Sequence, residues 1–196
     1  MPITIPSNLM VSVSGVRGRV GDPLTPELIS GIAAAFGAFM QTEADSAPIY
    51  VGRDSRVSGP MFSRAVISAL QSVGAKVIDL GMVPTPTLLL AVERAKAAGG
   101  IVITASHNPA DWNALKLVTG RGVFLASEQS ERFQEFLVEE DPKRVSWELI
   151  KSVTEDRQAW ERHLSEILAL PEVNVGAIRN RGIRVALDCV NGVGGP

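Results

Sequence analysis

Gly99-Gly100-Ile101-Val102-Ile103-Thr104 runs without a charge into Ala105-Ser106-His107-Asn108-Pro109. An unbroken apolar run of β-branched residues is the pattern of a strand buried on both faces, as in a parallel sheet covered by helices on each side. The Asn-Pro pair that follows marks a turn. Ser106 and His107 therefore stand where strand gives way to loop, at the edge where open α/β sheets present their ligand sites.

Working outward, the same alternation of strand and helix recurs. Upstream, Gly99-Gly100 ends a helix opened by Thr85-Pro86 and running to about Ala97, and Lys76 to Leu80 forms the strand before it. A helix started by Ser58 turns Phe62, Ala65, Val66, Ala69, Leu70 and Val73 inward and stops at Gly74; it follows a strand at Ile49 to Val51. Earlier still, Thr25 caps a helix with Pro26 in its first position and Leu28, Ile29, Ile32, Phe36, Phe39 and Met40 at helical spacing, after a strand over Leu9 to Val13. Downstream, Asn113 to Val118, the Gly120-Arg121-Gly122 turn and Val123 to Leu125 read as a hairpin, followed by a helix from Ser127 to about Val138. The expected fold is therefore α/β, a three-layer α/β/α domain around a mixed but mostly parallel sheet.

Beyond the polar break Asp141-Pro142-Lys143-Arg144, a helix is expected over Glu155 to Leu170, stopped by Pro171. Ile183-Arg184-Val185-Ala186-Leu187-Asp188 reads as a new strand and Asn191-Gly192-Val193-Gly194-Gly195-Pro196 as the loop after it. This divides the chain into one domain over 1–150, a helical connection over 151–174 and the opening of a second domain over 175–196.

Composition narrows the class. Of 196 residues, 45% are hydrophobic and 20% charged, the balance of a folded soluble domain. A net charge of -2, from 19 Lys and Arg against 21 Asp and Glu, supplies no overall basic field for nucleic acid or an anionic membrane. No apolar stretch approaches a membrane span, and the N-terminus carries no secretory pattern, so the default location is cytoplasmic. Cys189 is the only cysteine, which removes an internal disulfide and a cysteine-built zinc site; the expectation for it is a small core residue.

Ser106 admits three readings: phosphoryl acceptor, hydrolase nucleophile, or a loop serine making a local hydrogen bond. The hydrolase reading wants a Gly-x-Ser-x-Gly elbow and a base aimed at the hydroxyl. Here the flanks are Ala105, His107 and Pro109. Adjacent side chains of an extended chain also point to opposite sides, which argues against His107 as the base for Ser106. Phosphoryl transfer asks chiefly for positioning and gathered positive charge. Lys116, on the returning arm of the hairpin, and Arg17, between Gly15 and Gly18 after the first strand, can supply it; each is otherwise an ordinary surface cation. In Gly52-Arg53-Asp54-Ser55-Arg56-Val57-Ser58-Gly59, two arginines precede a helix N-terminus that could hold an anion, but an Arg53–Asp54 pair fixing the loop is the favoured reading. Pro84-Thr85-Pro86-Thr87 is a rigid connection and His163 a structural residue.

Taken together these loops resemble the α-D-phosphohexomutase family, which includes phosphoglucomutase, phosphomannomutase and phosphoglucosamine mutase. The motifs are ordered along nearly the whole chain: Ser14-Gly15-Val16-Arg17-Gly18, Leu24-Thr25-Pro26-Glu27, Val51-Gly52-Arg53-Asp54-Ser55-Arg56 with Ser58-Gly59, Pro84-Thr85-Pro86, and Thr104-Ala105-Ser106-His107-Asn108-Pro109 with Asn113 and Lys116. The resemblance implies that Ser106 carries the catalytic phosphate, that Lys116 is general acid or base, and that His107 and Arg17 lie nearby. It implies exchange of hexose 1-phosphate and 6-phosphate through a bound bisphosphate, with Mg2+ held by the phosphoserine and by aspartates of an Asp-x-Asp-x-Asp loop in a second of four domains. That loop is absent here, as is the Gly-Glu-x-Ser-Gly sugar loop.

Two departures stand out: Asn113 is followed by Ala114 where glycine is common, and Ser12-Val13 replaces a Gly-Thr pair. The Ser-Gly-Val-Arg-Gly and Asn-Ala-Leu-Lys forms are reminiscent of phosphoglucosamine mutases, which puts glucosamine phosphate ahead of glucose and mannose phosphates. A sugar bisphosphate synthase keeping the same serine, and a noncatalytic sugar phosphate binding or regulatory protein with a relic loop, are the alternatives. On this reading the 196-residue chain by itself does not turn over a hexose 1-phosphate; conversion above background by the purified chain in a coupled assay would contradict it.

Overall fold

A computed structural model describes residues 3–13, 15–44 and 47–195. Ser14 of the first motif and Pro196 of the last loop lie outside the described residues. Among the described residues seven strands form one sheet: β1 (Met10–Ser12), β2 (Gly15–Arg19), β3 (Ile49–Arg53), β4 (Val77–Met82), β5 (Gly99–Ile103), β6 (Trp112–Thr119) and β7 (Val153–Glu155). Their spatial order is β1-β2-β6-β5-β3-β4-β7. The ladders from β5 through β3 and β4 to β7 are parallel, whereas those joining β5, β6, β2 and β1 are antiparallel. The sheet is mixed as expected, with the two kinds of ladder in equal number.

Strand β5 sits mid-sheet because all five of its residues can be buried. Ile101 and Ile103 face one core, with Phe36, Phe62, Val66, Leu70 and Phe133. Val102 faces the other, with Leu80, Leu88, Val92 and Ala159. Helices α1 (Pro26–Glu43), α2 (Gly59–Ser72) and α4 (Ser127–Glu139) bring the first set, and α3 (Thr85–Arg94) and α5 (Ala159–Leu168) the second. This is the three-layer arrangement. Phe36 meets Phe133 edge to face at 5.8 Å, a geometry that adds to the burial itself.

Several local expectations change. Gly99 and Gly100 belong to β5, not to a helix end, and α3 stops at Arg94. They are glycine for space: a Cβ at Gly99 would lie 2.5 Å from the Val118 carbonyl oxygen, and one at Gly100 2.9 Å from Leu88 and Val92 side chains. Thr25 does cap α1, accepting from the Leu28 N–H at 3.3 Å. Ser58 makes no capping bond to α2: its backbone is already helical, at φ -73 and ψ -14, and its hydroxyl accepts from Asn113 Nδ2 at 2.8 Å. The arm after Gly122 is a single antiparallel bridge, Val118 with Phe124, not a full strand. The helix expected from Glu155 begins only at Ala159, and Glu155 instead ends a strand, 153–155, that pairs with β4.

After Leu170 little is buried. The short helix α6 (Val175–Asn180) has no buried residue. Ile183, Val185 and Leu187 are 64%, 81% and 79% exposed, and 183–188 form no strand. Alternating apolar residues make a strand only when a neighbouring backbone takes their N–H and C=O groups, and no described strand does. Cys189 is half-buried, its thiol donating to the Gly194 carbonyl at 3.0 Å, so it is not a core residue. Among the described residues no helix is long and apolar enough to cross a membrane.

Gly15 has φ +117, and a Cβ there would lie 1.9 Å from the Leu115 carbonyl oxygen; Gly21 has φ +95 but open space around it. Gly15→Ala must push strands β2 and β6 apart, so urea denaturation is expected to show a loss well above the roughly 1–2 kcal/mol that left-handed backbone alone costs Gly21→Ala.

Candidate functional site

The parallel strands β3, β4 and β5 end along one edge, and their following loops surround a cleft of about 530 Å³. Ser106, Asn108 and Ala110 line it from the β5 loop, Asp54 and Arg56 from the β3 loop, and Pro84 to Pro86 from the start of α3. Ser106 is exposed and adopts φ +57, the left-handed region. Its N–H donates to Thr104 Oγ1 at 3.0 Å and the Asn108 N–H to the Ala105 carbonyl at 3.1 Å, closing a tight turn. That turn alters the histidine argument. The chain at Ser106 is not extended, so His107 folds back and its Nδ1 comes within 3.4 Å of Ser106 Oγ.

Arg17 stands inside β2, not on a turn: it pairs with Ala114, whose carbonyl accepts from the Thr104 N–H. Residues directly opposed across antiparallel ladders share a face. The registers Arg17 with Ala114 and Val102 with Lys116 therefore place Arg17, Lys116, Val102 and Thr104 on one face, the face on which the cleft opens. Arg17 reaches the serine loop directly, donating from Nη1 to Asn108 Oδ1 at 3.0 Å. Lys116 lies opposite Val102, farther from the strand end, with its ammonium 5.3 Å from the Phe124 ring centroid. The structure thus brings Ser106, His107, Asn108 and Arg17 together, while the described contact of Lys116 is to Phe124. Ala114, where glycine is common, sits in regular β6 and needs no glycine-only angle.

The residue that sequence reasoning missed is Arg56. Its Nε donates to Asp54 Oδ2 at 3.1 Å, Nη1 to the carbonyls of Pro109 and Trp112 at 2.6 and 3.0 Å, and Nη2 to those of Ser106 and Asn108 at 3.0 and 2.6 Å. The expected Arg53–Asp54 ion pair is replaced by Arg56–Asp54; among the described residues Arg53 donates to the Asp54 backbone carbonyl, at 3.0 Å, and not to its carboxylate. Two arginines flanking one aspartate in the Gly-Arg-Asp-Ser-Arg loop were the available signal; which of them turned inward depends on a loop fifty residues away. A second unforeseen element is the 190–193 turn, where Val190, Gly192 and Val193 join the cleft wall and Val190 and Asn191 carry φ of +44 and +56. His163 does hold a structural place, its Nδ1 2.9 Å from the Thr87 hydroxyl between α5 and α3.

For the expected magnesium, the donors present do not suffice. Among the described residues no three His, Cys, Asp or Glu side chains gather to hold a metal, and the carboxylate lining the cleft, Asp54, is already engaged by Arg56. The Asp54 and Arg56 side chains are only 21% and 12% exposed, so removing the carboxylate leaves a largely desolvated cation. Asp54→Ala is expected to lower stability by about 1–3 kcal/mol in chemical denaturation, against a few tenths for Asp111→Ala, whose pair with Arg19 is exposed.

This arrangement has relatives. Residues 9–144 match the family described as phosphoglucomutase/phosphomannomutase, alpha/beta/alpha domain I. A phosphoglucomutase/phosphomannomutase of Thermococcus kodakarensis is 39% identical over 92% of this chain and 39% of its own length. A phosphoglucosamine/phosphogalactosamine mutase of Sulfurisphaera tokodaii is 35% identical over 94% of this chain and 40% of its own. The crystal structure of a phosphoglucomutase/phosphomannomutase family protein from Burkholderia thailandensis superposes with a TM-score of 0.67 at 28% identity, over 81% of this chain and 36% of that one. The chain thus spans about two fifths of the relatives' length. With the matched residues covering β1 to β6 and the serine loop, the chain belongs to the phosphoglucomutase/phosphomannomutase family, as its α/β/α domain I.

Proposed function

We propose that this chain is the phosphoserine-bearing domain of a phosphohexomutase that exchanges hexose 1-phosphate and 6-phosphate through a bound bisphosphate. The observation that carries the reading is the placement of Ser106: exposed on the cleft at a strand end, in a turn held by Arg56 through its carbonyls and by Arg17 through Asn108. A phosphate on Ser106 would carry about -1.5 to -2 charges. Arg17, sharing the cleft face and bonded to Asn108 of the serine loop, is a cation placed to compensate it. His107, 3.4 Å from the hydroxyl, stands where a proton could pass when the phosphoryl group leaves or returns. Lys116, two positions along β6 from the residue opposite Arg17, takes the acid or base role at the substrate oxygen on leaving Phe124.

Such a transfer asks the protein for alignment and charge more than for covalent chemistry, and a rigid serine loop meets the first need. A divalent cation, Mg2+, belongs to the same reading and would neutralise charge on the phosphate; its other ligands would come from outside these residues. Glucosamine phosphate is the leading substrate, ahead of glucose and mannose phosphates, and a cytoplasmic location goes with that metabolism.

The test uses the full-length enzyme. A hexose bisphosphate labelled in phosphate is expected to leave its label on Ser106, and Ser106→Ala to lower kcat by at least about a thousandfold while the protein stays folded. Absence of label would favour the noncatalytic binding protein, and labelling with net release of bisphosphate the synthase.

A further inference from the structure

Arg56 fixes more than the path of the serine loop, because its partners are backbone carbonyls. Within a trans peptide the C=O of one residue and the N–H of the next point in opposite directions in one plane. Among the described residues the sole cis bond is Asp22–Pro23, so every peptide in this loop obeys that geometry. Each carbonyl drawn onto the guanidinium therefore turns the following amide away from it. The carbonyls are those of Ser106, Asn108, Pro109 and Trp112. The amides that follow are those of His107, Pro109, Ala110 and Asn113, of which Pro109 has no hydrogen to donate and Asn113 lies in the β2–β6 pairing.

Two N–H groups that point away from the guanidinium remain, those of His107 and Ala110. Neither has a protein acceptor among the described residues. Both residues are exposed, and Ala110 lines the same cleft as Ser106. Three other donors of the loop are spent: the Ser106 N–H on Thr104, the Asn108 N–H on Ala105 and the Trp112 N–H on Pro109. A cation at the carbonyl end of a peptide polarises it so that its amide end becomes a stronger donor, the arrangement by which aligned peptides favour anions at a helix start.

We propose that Arg56 is a positioning residue that builds an anion cradle from the backbone, in which the His107 and Ala110 N–H groups receive oxygens of a phosphate carried on Ser106. The cradle rests on the reading that Ser106 bears phosphate. It differs from the Arg17 and Lys116 contribution in kind. Neutral donors orient the phosphoryl oxygens without adding net charge that would have to be overcome as the group departs, whereas the guanidinium that polarises them stays bound to the loop's carbonyls.

The test installs phosphoserine at position 106 of the 15N-labelled chain during translation and compares it with the unmodified chain by NMR. The His107 and Ala110 amide protons are expected to move downfield, to follow the second phosphate ionisation near about pH 6, and to exchange with solvent at least about tenfold more slowly. Arg56→Lys keeps the charge but cannot span four carbonyls, and is expected to return most of that protection. Unmoved His107 and Ala110 amides, with perturbation confined to Arg17 or Lys116, would overturn the cradle. So would full protection in Arg56→Lys. If that variant does not fold, the comparison of the two unsubstituted chains decides alone. Because phosphate is installed chemically, failure here is separate from failure of the labelled-bisphosphate experiment, which asks whether Ser106 is the natural acceptor.

Discussion

A planar cation whose donors are spent on one loop is the constraint around which the edge of this sheet is organised. Arg56 can reach four carbonyls of residues 106–112 only because β3 and β5 are adjacent and parallel, so that the loops leaving them start side by side. The Asp54 N–H donating to the Ile103 carbonyl at 3.1 Å locks those starting points together. Asp54 then balances the charge that the loop's carbonyls solvate. Remove the cation, and four carbonyl dipoles converge on nothing. The cost of that frustration is what keeps the serine turn in one shape.

How far the sequence could be read follows from the range of each interaction. Helix α1 was legible to its cap, because Thr25, Pro26 and the apolar spacing are local signals. Strand β5 was legible because burial on both faces leaves no polar position. Strand β7 was not, since Val153-Thr154-Glu155 has neither length nor alternation and exists only as an addition to β4. The Ile183–Asp188 segment failed in the opposite sense: its pattern is clear, but a strand is a property of a pair.

At the site the same division holds. Ser106 and its loop announced themselves through residue type and punctuation. The positions of His107 and Arg56 did not, because each depends on a backbone angle or on a partner about fifty residues away. An assumption of extended chain at residue 106 was enough to send the imidazole to the wrong side. Arg17 was placed correctly near the serine but for a different reason: strand register aims it, not glycine flexibility.

The left-handed backbone at Ser106 also bears on which alcohol could occupy the position. Branching at Cβ makes positive φ a true outlier, whereas small unbranched polar residues tolerate it. Threonine has the same hydroxyl chemistry as serine, yet it would have to unwind the turn to sit here, giving up the bonds to Thr104 and Arg56. Selection of the hydroxyl-bearing residue is thus made by the main chain before any question of reactivity arises, and a loop shaped this way carries its own proofreading against the nearest chemical equivalent.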